Sequence, residues 1–121
     1  MTAPSRKDLS FMNGVPELLI LRLLAAREMY GYELVAEIKR ATGDVIELGE
    51  GCVYPILHAM QRQGLVTCRR LERDGRSRLY YALKQKGKRR LAEVSANWQR
   101  ITGAIEMALS AGGPGATVPT N

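Results

Sequence analysis

A chain of 121 residues, 45% hydrophobic and 25% charged, has material for one compact domain and an appendage, which excludes the large two-domain enzyme architectures. No uncharged apolar run approaches the ~20 residues needed to cross a bilayer, and the start Met1-Thr2-Ala3-Pro4-Ser5-Arg6-Lys7-Asp8 lacks a secretory apolar stretch, so a cytoplasmic protein is expected. Cys52, Cys68 and the single His58 are too few for a disulfide framework or a four-ligand zinc site, and neither a metal nor a cofactor is expected. The net charge of +6 is unevenly spread: residues 62–90 carry eleven basic side chains against Glu72 and Asp74, a local +9, while the remainder sums to −3. Such a run is either a solvated face or the footprint of a polyanionic partner.

Residues 1–14 read as an N-terminal arm or short helix. Pro16 fits a first helical turn, and Leu18 to Ala26 form a strongly apolar helix behind it. Tyr30-Gly31-Tyr32 interrupts the run, and Leu34, Val35, Ile38 and Ala41 then recur at helical spacing as far as Gly43. Val45, Ile46 and Leu48 predict a brief extended piece between Asp44 and Glu50, before a third helix from Gly51 to Gln63 that Gly64 closes.

The period then changes. Leu65 to Glu72 and Arg76 to Leu83 flank Arg73-Asp74-Gly75, and Asp-Gly between two apolar, β-branched and aromatic runs predicts a hairpin with arginines at its tip. Tyr80 and Tyr81 alternate on the strand, so one is expected inward and the other outward. A last helix, from about Gln85 to Leu109, carries Leu91, Val94, Trp98, Ile101, Ile105 and Ala108 at spacings of 3, 4, 3, 4 and 3. At 1.5 Å per residue this seam is roughly 27 Å long, more than a small domain needs to close its core, and it is expected to meet a partner. Residues 110–121, rich in Gly, Pro and Thr, are expected to form a disordered tail.

Three helices followed by a β-hairpin is the order of a winged helix-turn-helix, mainly α with a small hairpin, over residues 15–84, with residues 85–109 as a C-terminal dimerisation helix. Projection of the third helix puts Val53, Ile56, Leu57 and Met60 inward, Pro55, His58 and Arg62 outward, and Tyr54 and Ala59 on the flanks. The outward set is the candidate base-reading face for double-stranded DNA, with Arg62 able to grip guanine or a phosphate. Arg73, Arg76 and Arg78 suit phosphate or narrow minor-groove contacts. The same wing would also serve an interaction module that binds RNA or an acidic protein.

The ordered set Gly31-Tyr32-Glu33-Leu34, Gly51-Cys52-Val53-Tyr54-Pro55-Ile56-Leu57, Gly64-Leu65-Val66, Asp74 to Leu83, Gly87 and Leu91 resembles the PadR-type transcriptional regulators over about residues 15 to 105. The resemblance implies a repressor that dimerises through its last helix and binds an inverted-repeat operator, and the short final part resembles the smaller PadR subfamily. Cys52 and Ser77 stand where that family commonly has Thr and Pro, His58 and Ala59 where basic residues are common, and Lys84 where a Thr cap is usual. With less charge on the third helix, nonspecific affinity is expected mainly in the wing.

Trp98, in the middle of the seam, is by resemblance a residue that pairs across the dimer and stacks on a small planar hydrophobic effector; as a large apolar side chain it serves equally as packed dimer core. Tyr54 can touch a phosphate through its hydroxyl, as the resemblance implies, or simply pack. Cys52 near a helix N-terminus is a redox switch or an incidental thiol. Glu33 and Glu37 share a helix face as paired carboxylates or as solvated charges, and no Ser-His-Asp or Cys-His arrangement or phosphate loop supports an enzyme.

Overall fold

The computed structural model describes residues 6–111, with side chains from 14 to 111. The chain divides into two compact units, Met1–Leu91 and Ala92–Asn121. The elements run α1 Arg6–Ala26, β1 Met29–Tyr30, α2 Gly31–Ala41, α3 Glu50–Arg62, β2 Val66–Arg73, β3 Arg76–Leu83 and α4 Gln85–Ser110. Among the described residues no helix is long and apolar enough to cross a membrane. The disorder expected of 110–121 concerns residues outside those described, apart from Ser110, which ends α4, and Ala111 in a turn.

In the first unit α1, α2 and α3 pack with the sheet around Ile20, Leu21, Leu24, Met29, Leu34, Ile38, Val53, Leu57, Met60, Leu65, Val66 and Tyr81, with Tyr80 as well. Among the described residues no charged side chain is buried. The inward faces of α2 and α3 are those read from helical spacing: Leu34 and Ile38 on one, Val53, Leu57 and Met60 on the other, with Ile56 half-buried. Helix α1 departs from expectation by starting at Arg6, so that Pro16 lies inside it. That costs one intrahelical hydrogen bond, which the apolar burial beyond it offsets.

The extended piece expected between Asp44 and Glu50 does not form. Gly43 and Asp44 both take positive φ, and the Thr42 hydroxyl accepts the Ile46 N–H at 3.0 Å while donating to the Ile38 carbonyl at 2.9 Å, closing a tight non-strand turn. The third strand is instead β1, two residues long and antiparallel to β3, in a sheet ordered β1-β3-β2. The hairpin also shifts by one residue. Asp74 and Gly75 both have positive φ, a two-residue turn whose twist suits adjoining strands, so Arg73 closes β2 and pairs with Arg76. Tyr80, expected outward if Tyr81 is inward, is buried as well. Tyr30 meets its ring edge-on at 5.4 Å, and the Arg73 guanidinium covers it at 4.4 Å from the ring centroid.

Two junctions hold the wing against the helices. Gly64, at positive φ, ends α3 and lets the Leu65 N–H reach the Met60 carbonyl at 2.9 Å. The Leu65 carbonyl then accepts the Lys84 N–H at 2.9 Å and lies against Gly87, which is buried in the first turns of α4. Arg90 ties α4 to α1 by donating to both Glu17 carboxylate oxygens, at 2.9 and 3.1 Å. A Cβ on Gly87 would strike the Leu65 carbonyl and sit 2.7 Å from Leu83 Cδ1. Gly87→Ala is therefore expected to destabilise the fold by about 1–3 kcal/mol, read as a lower denaturant midpoint with an unchanged slope.

Candidate nucleic-acid interface

Helix α3 starts at Glu50 behind Gly49, whose carbonyl accepts the Cys52 and Val53 N–H groups at 3.0 Å each. Burial of Val53, Leu57 and Met60 turns Pro55, His58 and Arg62 to solvent, three exposed residues at spacings of 3 and 4 and thus on one face. Tyr54 is half-buried, its ring lying flush on Gly31 at the start of α2, where a Cβ would collide with it. Its ring centroid is 6.2 Å from that of His58.

Between α3 and the wing lies an open concavity of about 570 Å³. Tyr30, Gly31, Tyr32 and Tyr54 form one side of it; Arg70, Arg76, Ser77, Arg78 and Leu79 come from the wing. Three guanidiniums beside three phenols make a cationic, hydrogen-bonding trough suited to a polyanionic backbone. Arg78 lies over the Tyr30 ring at 4.3 Å from its centroid, and Arg70 donates to the Ser77 hydroxyl at 3.3 Å. Among the described residues Arg62 and Arg76 have no acidic partner.

Of the residues singled out from the sequence, Tyr54, Arg76 and Arg78 come together in this trough, and Pro55, His58 and Arg62 present their row on the same helix as Tyr54. Arg73 does not line it. With Arg69 it is paired to Glu28, in the link between α1 and β1, at 2.6 and 3.2 Å. Arg70, Tyr30 and Tyr32 are wall residues that the sequence reading missed. In the register Arg70 pairs with Leu79, two positions from the Cys68–Tyr81 pair and on the same side of the ribbon, whereas Arg69 and Arg73 alternate to the other side with Arg76 and Arg78, so the trough takes side chains from both faces.

Glu33 and Glu37 are not a carboxylate pair. Glu33 accepts from Arg27 at 2.6 Å and from the Tyr30 N–H at 3.3 Å, capping α2, and Glu37 pairs with Arg40, whose hydrogen bond holds its carboxyl below the usual range. Cys52 and Cys68 are both half-buried free thiols. In the second unit Val94, Trp98 and Ile101 are half-buried, while Ile105, Met107 and Leu109 are exposed, the last two by 73% and 76%. Leu91, at the end of the first unit, is half-buried, and Ala108 is exposed.

The PadR-like transcriptional regulator family model matches residues 20–93, from the last turns of α1 through the wing into α4. The chain belongs to that family. It is a transcriptional regulator of winged helix-turn-helix fold and not an enzyme. It is 33% identical over 88 residues to the transcriptional regulator YqjI of Escherichia coli strain K12, covering 73% of this chain but only 41% of that protein. A PadR-like transcriptional regulator from Bacillus cereus superposes with a TM-score of 0.72 at 29% identity, over 83% of this chain and 96% of the other. A transcriptional regulator from Clostridium thermocellum, 21% identical, shares the fold with a TM-score of 0.73 over 86% and 96% of the two chains.

The core side of the interface has a pH signature. Burial, then Cys68 opposite it in the ladder, then Tyr54 push the Tyr81 hydroxyl from about 10 up to about 12. A phenol whose folded pKa is raised contributes stability in full below the unfolded value and loses it as pH rises through the folded one. Phenolate absorbance is expected to show one tyrosine ionising near pH 12, with unfolding free energy falling between about pH 10 and 12; in Tyr81→Phe this component of the fall should vanish.

Proposed function

We propose that this PadR-like regulator is a sequence-specific, homodimeric DNA-binding repressor that reads an inverted-repeat operator. The observation that carries the proposal is the exposed row Pro55, His58 and Arg62 on the helix whose Tyr54 forms one wall of the Arg70, Arg76 and Arg78 trough. In this reading Pro55, His58 and Arg62 meet base edges in the major groove while Tyr54, Arg70, Arg76 and Arg78 grip phosphates. The apolar seam Leu91, Val94, Trp98, Ile101, Ile105 and Ala108 supports a two-fold pairing of α4, since exposed Ile105, with Met107 and Leu109 nearby, leaves apolar surface to cover. A two-fold dimer puts the α3 helices in major grooves about one helical turn apart, roughly 34 Å. The protein would work in the cytoplasm, on the nucleoid when bound to DNA.

Selection from genomic and randomised duplexes by the purified full chain at near-physiological salt is expected to enrich an inverted repeat, with light scattering reporting a dimer. Preference for RNA or for an acidic protein, with no duplex sequence enriched, would replace the reading with an interaction module. On the selected site, changing Arg76 and Arg78 together to Ala should reduce the slope of log affinity against log salt by about two. An unchanged slope would remove those residues from the phosphate contacts.

We further infer that a small planar hydrophobic effector binds beside Trp98 in the dimer and releases the operator by shifting the pair of winged units toward a DNA-incompetent state. Support comes from the position of Trp98, half-buried in the single chain and at the middle of the seam. Planar aromatic compounds should quench the fluorescence of this sole tryptophan and weaken operator binding together; quenching by none across a varied set would leave Trp98 as dimer core alone.

A further inference from the structure

The basic wing is not uniformly available. Of its arginines, two are held by an acidic residue that belongs to no part of the hairpin. Glu28 sits in the two-residue link between α1 and β1, with its side chain only 20% exposed, and its two oxygens accept Arg73 Nη2 at 2.6 Å and Arg69 Nη2 at 3.2 and 3.4 Å. Arg73 also lies over the Tyr80 ring, and ring and carboxylate together hold its guanidinium out of the trough, although it shares a ribbon face with Arg76 and Arg78, which line it.

Arg73 is the last residue of β2 and pairs with Arg76, which lines the trough. Paired residues have their Cα atoms about 5 Å apart, so a side chain as long as arginine can start at this tip and reach either way. A carboxylate and a phosphodiester offer a guanidinium the same thing, two oxygens sharing one negative charge. The arginines remain 45% and 62% exposed, so each can leave Glu28 without opening the core. Hydrogen bonds from Arg73 and then Arg69 hold the Glu28 carboxyl below its ordinary range, which keeps it ionised at neutral pH.

We propose that Glu28 is an internal competitor of the DNA backbone: it holds Arg73, the nearer of its two arginines and the one opposite Arg76, out of the trough and thereby sets how many charges the wing brings to nucleic acid. The proposal rests on the DNA-binding reading above. Glu28 is a positioning residue in this scheme and touches no DNA itself. Its consequence is a lower affinity for arbitrary duplex, so that contacts made by α3 weigh more in the choice of site.

The test compares the full-length wild type, Glu28→Gln and Glu28→Gln/Arg73→Ala on one duplex of arbitrary sequence over a salt series, with thermal melting of each protein. Glu28→Gln is expected to bind about five- to tenfold more tightly near 0.1 M salt, with a log–log slope steeper by about one, and the double variant to return to the wild-type slope. An unchanged slope in Glu28→Gln overturns the proposal. So does a double variant that stays steep, because the effect is then not carried by a released Arg73. Weaker binding by a Glu28→Gln protein that melts like the wild type also overturns it, Glu28 then serving to brace a wing that already contacts DNA. If Glu28→Gln melts early, Glu28→Asp, which keeps the charge but shortens the reach, should steepen the slope in the same direction, and no steepening counts against the proposal. A wild type that binds no duplex at any salt fails the DNA-binding reading itself, a result distinct from every one of these.

Discussion

The register of one hairpin governs the rest of the interface. Asp74 and Gly75 both sit at positive φ, a turn that admits two residues and no more, and it locks Arg73 opposite Arg76. Side chains in a ribbon alternate between two faces, so a slip of one residue would exchange every partner. With the register set, Cys68 and Tyr81 go to the core side, Arg70, Ser77 and Leu79 continue that side toward α3, and Arg69, Arg73, Arg76 and Arg78 fall on the other, so the trough draws arginines from both faces. The distribution of the local positive charge is therefore a property of the turn as much as of the arginines themselves.

Much of this was open to a reading of residue types, because the helical period is a strong signal when the core is small. Leu34 and Ile38 on α2, and Val53, Leu57 and Met60 on α3, are buried where a 3.6-residue repeat puts them, and the row Pro55, His58 and Arg62 follows as their complement. Asp-Gly marked the hairpin. What could not be read was decided by long-range pairing. A two-residue strand such as Met29–Tyr30 has no period of its own and exists only because β3 offers an edge to it. Val45, Ile46 and Leu48 look like strand, yet a single hydroxyl on Thr42 turns the chain at that point.

Tyr80 and Arg73 illustrate the same limit from the side of packing. Strand alternation predicts one tyrosine in and one out, but an aromatic ring on the outer face can be buried by a neighbouring strand's tyrosine and a guanidinium laid over it. The cation that covers the ring is then anchored by Glu28, 45 residues away in sequence. Nothing local to Arg73 distinguishes it from Arg76, its partner on the same face, and their different surroundings come from what each long side chain meets: Glu28 and the Tyr80 ring for Arg73, the trough for Arg76.

The contact between Gly31 and Tyr54 divides α3 into a mount and a dial. Tyr54 has its ring pressed on backbone that admits no Cβ, so its place is dictated by the packing of α2. Pro55, His58 and Arg62 are all exposed, the His58 ring tilted against that of Tyr54 at 6.2 Å. Exchange of these three leaves the core and the mount untouched. A helix built in this way can change the side chains it presents without renegotiating its fold, and related regulators can diverge on that face while remaining superposable in how they hold it.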